Sequence, residues 1–286
     1  MLQRLRRAME LRQLSAGVTG LALGLLLNVA SNWLSGAGAA LVPAIVAIFV
    51  GTLSVSIYLW WRNPSRVSLN IRPVRTLRAD AEKRQHAHRG LIAFVSLYRP
   101  GRDSRASKKP EDWQAAAARN DYQALDLPHS NLATTVEAIM SHTSRLEHCW
   151  LIGTTATDPG VPGSSIYIPA LIEYLRHERG LKCAFHCGPE CNLPLDDDAL
   201  VFTKTLDLVR HVFVQAEKDG EVGLQAKEVI ADFTGGTRSM TLGMILACLD
   251  GDRDIEMIGT HYDAAGNPEG PPFPIIFSFE PVLLQT

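Results

Sequence analysis

The stretch VIADFTGGTRSMTLGMILACL, residues 229–249, decides the fold of this chain. The pattern of residues 229–233 predicts a buried strand, and that of residues 238–249 predicts a helix. Between them lies the run Thr-Gly-Gly-Thr, residues 234–237. A strand, a tight glycine turn and a helix form the repeating step of a parallel α/β sheet.

The same alternation continues through residues 75–286. Apolar runs predict strands at 90–98, 149–153, 181–187, 229–233, 255–259 and 274–279, and helical patterns lie at 131–142, 166–179, 200–217 and 238–249. In one helix Ile168, Leu171, Ile172 and Leu175 recur at steps of three and four, as one buried face requires. We therefore expect an α/β, Rossmann-like domain with a doubly wound parallel sheet covered on both faces. The polar segment 99–126 interrupts the pattern and is expected to be an exposed insertion.

The N-terminal residues 1–66 have a different character. They hold six arginines against one acid, so they carry +5 while the rest of the chain carries −7. A gap of 49 uncharged residues separates Arg12 from Arg62, and two membrane helices need about 20 apolar residues each. The turn-like cluster 35–38 divides this gap, which predicts a transmembrane hairpin with spans at about 14–34 and 39–61.

Arginines flank both outer ends of the predicted hairpin, so the positive-inside rule places both termini in the cytoplasm. The alternative is a cleaved signal peptide, but the uncharged stretch exceeds the usual signal core of about 7–15 residues and a second span follows at once. We expect a multi-pass protein of the inner (cell) membrane, with the hairpin in residues 1–66 and a cytoplasmic domain in residues 67–286.

Five cysteines fall in the predicted cytoplasmic part, where thiols stay reduced and no disulfide framework is implied. Cys183, Cys187 and Cys191 are separated by three residues each, not by the two of paired zinc motifs. Small apolar packing is therefore favoured over a metal site, and no metal is expected.

Ligands of doubly wound sheets bind beyond the carboxyl ends of the strands. The candidate binding residues follow three predicted strands: Ser96, Leu97, Tyr98, Arg99, Gly153, Thr154, Thr155, Thr234, Gly235, Gly236, Thr237, Arg238, Ser239 and Met240. The two glycines permit close backbone approach and a positive φ. Helix amides, hydroxyls and the Arg238 guanidinium suit a phosphate, although a tight turn that merely caps a helix is the alternative. The spacing matches neither a Walker A loop nor GxGxxG, so ATP hydrolysis is not implied.

The run DFTGGTRSMTLGMILACL, residues 232–249, resembles the signature of CARF domains, the Rossmann-like sensors of cyclic oligonucleotides in type III CRISPR defence. Asp232, Thr234, the glycine pair, Thr237, Arg238 and Met240 match that motif in order. GLIAFVSLYRPG, residues 90–101, is similar to the first strand and ligand loop of that family. Related SAVED sensors contain two fused CARF-like units, whereas this chain has room for one.

The resemblance implies a homodimer, or a higher homo-oligomer, that binds a cyclic oligonucleotide such as a cyclic oligoadenylate across its two-fold axis. Members also occur fused to membrane spans, where the ligand controls membrane integrity. We therefore expect a membrane effector of prokaryotic antiviral immunity that controls membrane disruption or pore formation. The expected partners are the ligand and the lipid bilayer, with no DNA or RNA polymer and no cofactor.

The alternatives are a membrane-anchored ring nuclease and a nucleotide-binding regulator with inert spans. Hydroxyls of Ser96, Thr155, Thr234 and Ser239 lie near the predicted site, and His261 is the nearby candidate base. No His–acid pair is recognisable beside them, so no catalytic residue is assigned.

Overall fold

The computed structural model describes residues 66–101, 109–155, 162–249, 253–264 and 268–284. They form an α/β fold in which helices cover a mixed sheet of eight strands. Contacts divide the chain into two units, 1–68 with 281–286 and 69–280, and the second holds all the described helices. No helix among the described residues has the length and apolar character needed to cross a membrane. The predicted hairpin of residues 14–61 lies outside the described residues.

Strands and helices alternate along the chain as the sequence predicts, with further strands at 66–76 and 192–194 and further helices at 80–85 and 110–118 that were not predicted. The strands are β1 Arg66–Thr76, β2 Gly90–Phe94, β3 His148–Thr155, β4 Ala184–His186, β5 Asn192–Pro194, β6 Val229–Asp232, β7 Asp254–Tyr262 and β8 Pro268–Leu284. The helices are α1 Asp80–Gln85, α2 Pro110–Ala118, α3 Ala133–Ser141, α4 Ile168–His177, α5 Asp198–Lys218 and α6 Arg238–Cys248. Short 3-10 helices lie at Tyr122–Leu125, Leu127–His129, Ser164–Tyr167, Pro189–Cys191 and Ala226–Glu228.

The sheet has the order β1-β8-β7-β6-β2-β3-β4, with β5 paired to β3. The pairs β2/β3, β2/β6, β3/β4, β3/β5 and β6/β7 are parallel. Counted along the chain, the strands β2, β3, β4, β6 and β7 lie in the order 3-2-1-4-5, as in the doubly wound sheets of nucleotide-binding proteins. The order reverses between β2 and β6, which makes their carboxyl ends the topological switch point.

The expectation of a wholly parallel sheet is wrong for the last strand. β8 pairs with β7 in the antiparallel sense. Only residues 263–267 separate the two strands, and a parallel connection needs a crossover of about a dozen residues or more. The short link therefore forces the chain to return in the opposite direction, which makes the sheet mixed.

Two cores cover the two faces of the sheet. Leu91 and Ala93 of β2 belong to one, together with side chains from α2, α3 and α4. Ile92 and Phe94 belong to the other, together with side chains from α5 and α6. The predicted face of α4 is confirmed, since Ile168, Leu171, Ile172 and Leu175 are all buried. Alternate residues of a strand point to opposite faces, so one short apolar strand supplies both cores.

The expectation that residues 99–126 form an exposed insertion is wrong for the described residues 109–126. They form α2 and a 3-10 helix, and Trp113, Tyr122 and Leu125 lie in the core with at most 4% of their surface exposed. The Trp113 ring packs against Tyr98, with 4.4 Å between ring centroids. Charged residues of α2 such as Glu111 and Asp112 face solvent, so the helix is amphipathic rather than detached.

Candidate functional site

The loop that joins β6 to α6 lies against the end of β2. An ideal Cβ on Gly235 would lie 2.6 Å from the Phe94 carbonyl oxygen, and one on Gly236 would lie 2.7 Å from Phe94 Cδ2. A side chain fits at neither position without moving β2 or the loop. Neither glycine adopts the positive φ that its residue type permits, because Gly235 and Gly236 do not belong to the positive-φ glycines of the described chain. Both positions require glycine because the loop backbone lies so close to Phe94 of β2.

Ser96 connects the two strands of the switch point. It follows β2, is half-buried, and its Oγ donates to the Gly235 carbonyl oxygen at 2.6 Å. The structure thus brings Ser96 and the loop of residues 234–237 together, although they are distant in sequence. This hydrogen bond holds the glycine loop against the residues that follow β2.

Thr234 fastens the start of the loop. Its Oγ1 donates to Asp232 Oδ1 at 2.5 Å and accepts a hydrogen bond from the Ile258 backbone N–H at 2.7 Å. The Thr234 backbone N–H also donates to Asp232 Oδ1, at 3.2 Å. Three strands, β2, β6 and β7, are therefore tied to one turn through side-chain hydroxyls.

The first turn of α6 is capped from within. Thr237 is the N-cap, and its hydroxyl accepts from the Met240 N–H at 3.3 Å. Ser239 Oγ donates to Asp198 Oδ1 at 2.8 Å, which ties α6 to the start of α5. Met240 is buried in the core beneath the loop. These hydroxyls have structural partners, and the helix contributes its remaining first-turn amides to the surface.

Arg238 is exposed at the start of α6, and its side chain makes no hydrogen bond or ion pair with any described residue. A cation is unfavourable at a helix N-terminus, where the macrodipole is positive. An anion placed there would gain from both the guanidinium and the free amides. Arg99, which follows β2, is also exposed, and its backbone is held by Asn131, whose Oδ1 accepts from the Arg99 N–H at 2.7 Å.

Leu97 and Tyr98 turn towards the core. The Tyr98 hydroxyl donates to the Leu125 carbonyl oxygen at 2.7 Å, and burial raises the pKa of Tyr98 to about 12. Leu97 packs against the same core, and its carbonyl oxygen accepts from Asn131 Nδ2 at 2.7 Å. In this structure their side chains support the loop after β2 rather than line its surface.

The end of β3 contributes backbone and one half-exposed hydroxyl. A Cβ on Gly153 would lie 2.9 Å from Ser165 Cα, so this glycine permits packing of the following segment. Thr154 is buried and bonded to Ser164, with its N–H donating to Ser164 Oγ at 2.9 Å. Thr155 is half-buried at the last position of β3. Of the three residues, Thr155 has the most accessible side chain.

Sequence reasoning missed two buried polar residues next to the loop. Glu256 lies in β7 beside Asp232, and His142 follows α3 and bonds Glu256. A glutamate inside the otherwise apolar run 255–259 was the available signal. Across the described parts of the chain, no three His, Cys, Asp or Glu side chains are grouped to hold a metal ion.

The site is therefore an anion-compatible surface at the switch point, made of a helix N-terminus, an unpaired arginine and a glycine loop held by hydroxyls. No protein-family model matches this chain, and its sequence matches no curated protein.

Proposed function

We propose that residues 67–286 form a CARF-like sensor that binds a cyclic oligonucleotide, with a cyclic oligoadenylate as the expected ligand. The sensor controls membrane disruption or pore formation by the hairpin predicted at residues 14–61. One observation carries the proposal: the glycine loop is held against β2 at the switch point while Arg238 is left exposed and unpaired.

The chemistry of this surface favours a phosphodiester over a neutral ligand. The first-turn amides of α6 and the Arg238 guanidinium both favour negative charge. Arg99 follows the adjacent strand and adds a second exposed cation. The glycines leave backbone at the surface, where a sugar–phosphate chain can approach closely.

A cyclic ligand with internal symmetry suits two copies of one loop. A homodimer presents the same surface twice around a two-fold axis, so each protomer contacts an equivalent part of the ring. Ligand binding changes the membrane part only through a difference in affinity between two dimer arrangements. The short link of residues 62–69 is the proposed route by which this difference reaches the hairpin.

The deciding experiment is calorimetric titration of the full-length protein with cyclic di-, tri- and tetranucleotides. We expect one ring to bind and Arg238→Ala to weaken it by about 10- to 150-fold, because a hydrogen bond to a charged group contributes about 1.5–3 kcal/mol. Arg145→Ala is the matched control, since Arg145 is exposed just before the amino end of β3, whereas the glycine loop follows the carboxyl end of β6. Failure of every ring to bind the parent protein would refute the proposal. Equal affinity of the parent and Arg238→Ala would remove the loop from the site.

The membrane step is tested with dye-filled vesicles of phosphatidylethanolamine and phosphatidylglycerol that contain the full-length protein. The ring that binds should release dye from vesicles with the parent protein but not from those with Arg238→Ala. Intact vesicles together with a cleaved ring, detected by chromatography, would favour the membrane-anchored ring nuclease. Intact vesicles with an uncleaved ring would favour a regulator with inert spans.

A further inference from the structure

Two carboxyl groups lie side by side in the buried part of the sheet behind the glycine loop. Asp232 of β6 and Glu256 of β7 are direct partners in the parallel register, and both are 0% exposed. The alternation of strand residues places both on the face covered by α3. Buried carboxylates are rare unless they are paired with a cation or carry a proton.

Each carboxyl group has one satisfied and one unsatisfied oxygen. Asp232 Oδ1 accepts from Thr234, and Glu256 Oε1 lies 2.9 Å from His142 Nε2. Asp232 Oδ2 and Glu256 Oε2 are buried and have no hydrogen-bond donor among the described residues. An unsatisfied buried oxygen is unfavourable, and here two of them belong to neighbouring side chains.

His142 does not neutralise the pair. The His88 backbone N–H donates to His142 Nδ1 at 3.1 Å, so Nδ1 carries no proton and the hydrogen lies on Nε2. The imidazole is therefore neutral and donates to Glu256. Behind it, His88 Nε2 lies 3.4 Å from Asp254 Oδ2.

The other neighbours of the pair are apolar. On the flanking strands, β2 places Ala93 beside Asp232 and β8 places Ile276 beside Glu256. The titratable groups around the two carboxyls are thus His142, His88 and Asp254. The ion pair of Lys83 with Glu137, between α1 and α3, is partly exposed and already internally neutralised.

We propose that Asp232 and Glu256 share one proton between Oδ2 and Oε2, and that Glu256 thereby positions the glycine loop through Asp232 and Thr234. A single shared proton gives both orphan oxygens a partner and removes the repulsion of two adjacent carboxylates. Burial, and then the neighbouring Glu256 carboxylate, raise the pKa of Asp232, which agrees with a retained proton. The effect on ligand binding rests on the proposed function, whereas the shared proton does not.

Loss of the proton at alkaline pH leaves two buried like charges next to the loop. The carboxylates must then separate, and the Thr234 contacts to Asp232 and Ile258 hold the loop less well. If binding requires the protonated pair, affinity falls by up to about tenfold per pH unit once the proton is lost. Glu256→Gln replaces the proton by an amide donor, and its carbonyl oxygen still accepts from His142.

The first test is made without ligand, by infrared spectroscopy of the full-length protein. We expect the carbonyl band of a protonated carboxyl group at neutral pH, with an alkaline midpoint that falls by at least about one pH unit in Asp232→Asn and Glu256→Gln. Glu228→Gln is the control, because Glu228 is a partly exposed carboxylate bonded to Arg89 and its removal should leave the band unchanged. Absence of the band in the folded parent, or an unchanged midpoint in both variants, would overturn the shared proton.

The second test titrates cyclic tetra-adenylate into the parent and Glu256→Gln from neutral pH to about pH 9. The parent should lose affinity as the infrared band disappears, and Glu256→Gln should bind with a flat profile. Identical profiles would overturn the positioning role. If the parent binds none of the cyclic di-, tri- and tetranucleotides at any pH, the proposed function fails, while the infrared result still decides whether the proton is shared.

Discussion

At Gly236 the packing of a single residue determines whether the loop can close on β2. The nearest atoms to a Cβ placed there belong to the Phe94 ring and to Met240 Cβ, the latter at 3.2 Å. Phe94 and Met240 are almost completely buried, so neither side chain can swing into solvent to make room. Small side chains added to such a position force the surrounding core apart.

Gly236→Ala should therefore lower the free energy of unfolding by about 1–3 kcal/mol. Gly220→Ala is the matched control, because nothing lies within 4 Å of its Cβ position, and we expect a change within about 0.5 kcal/mol. Chemical denaturation of both variants gives the comparison. Equal stability of the two would mean that the loop relaxes away from β2 without penalty.

Thr234→Val tests the hydroxyl that links three strands. Valine keeps the shape of threonine but removes the donor to Asp232 and the acceptor for the Ile258 N–H. The Ile258 N–H then lacks its acceptor, and Asp232 Oδ1 keeps only the Thr234 backbone N–H, which should destabilise the protein by about 1–3 kcal/mol. Hydrogen exchange of the Ile258 amide should accelerate as well.

The control for that substitution is Thr203→Val on the exposed side of α5, where the hydroxyl bonds only the Ala199 carbonyl oxygen of its own helix. Its effect should stay within about 0.5 kcal/mol. Unchanged exchange at Ile258 in Thr234→Val would show that the amide finds another acceptor.

Among the elements, α2 shows how a buried helix can escape detection in a sequence. Charged and polar residues dominate residues 99–126, and among residues 111–118 of the helix, whose burial is described, only Trp113 and Ala116 are buried. Two apolar positions in one short helix give too weak a periodic signal, whereas the four-residue face of α4 was recognisable. The partners of Trp113, Tyr98 and Tyr167, come from other elements and could not be inferred from local spacing.

Trp113→Ala should lower the free energy of unfolding by about 3–5 kcal/mol, because a large aromatic side chain leaves a cavity between Tyr98 and Tyr167. Trp113→Phe should be much milder, since Trp113 Nε1 has no partner among the described residues and its loss removes no hydrogen bond there. Gln114→Ala, at the exposed neighbouring position, serves as the control. Thermal denaturation that ranks the three variants differently would contradict the packing of α2 in the core.

At the scale of the whole molecule, the positions of most strands were predictable from the sequence, whereas the antiparallel direction of β8 was not. Apolar runs located β2, β3, β4, β6 and β7 but not the three-residue strand β5. The rule that ligands bind at the carboxyl ends of parallel strands selected both Ser96 and the loop of residues 234–237. The side chains that surround the carboxyl ends of these strands were not predictable. Tyr98 belongs to the core, and Glu256 and His142 lie behind the loop, because these contacts depend on strand order and register rather than on sequence spacing.

The buried carboxyl pair also makes the stability of the whole protein depend on pH. The raised pKa of Asp232 means that the folded protein retains a proton that the unfolded chain has released above about pH 4. This stabilisation is complete below the unfolded pKa and is lost as pH rises through the folded pKa, because stability falls wherever the folded state binds more protons. For one proton the slope reaches about 1.4 kcal/mol per pH unit.

The contribution of Asp232 is best measured from about pH 7 to 8, above the range of the histidines and below the midpoint of unfolded thiols. Burial lowers the pKa of His86 and of His186, so both act as pH falls below about 6.5. Burial raises the pKa values of Cys149, Cys183, Cys187 and Cys191, so these thiols lower the stability of the parent and of Asp232→Asn alike as pH rises towards the range where unfolded thiols ionise. The parent should therefore lose stability with rising pH more steeply than Asp232→Asn does. Denaturation curves measured at several pH values give the slope of the free energy of unfolding against pH for each protein. Equal slopes would show that the pKa of Asp232 is the same in the folded and the unfolded chain.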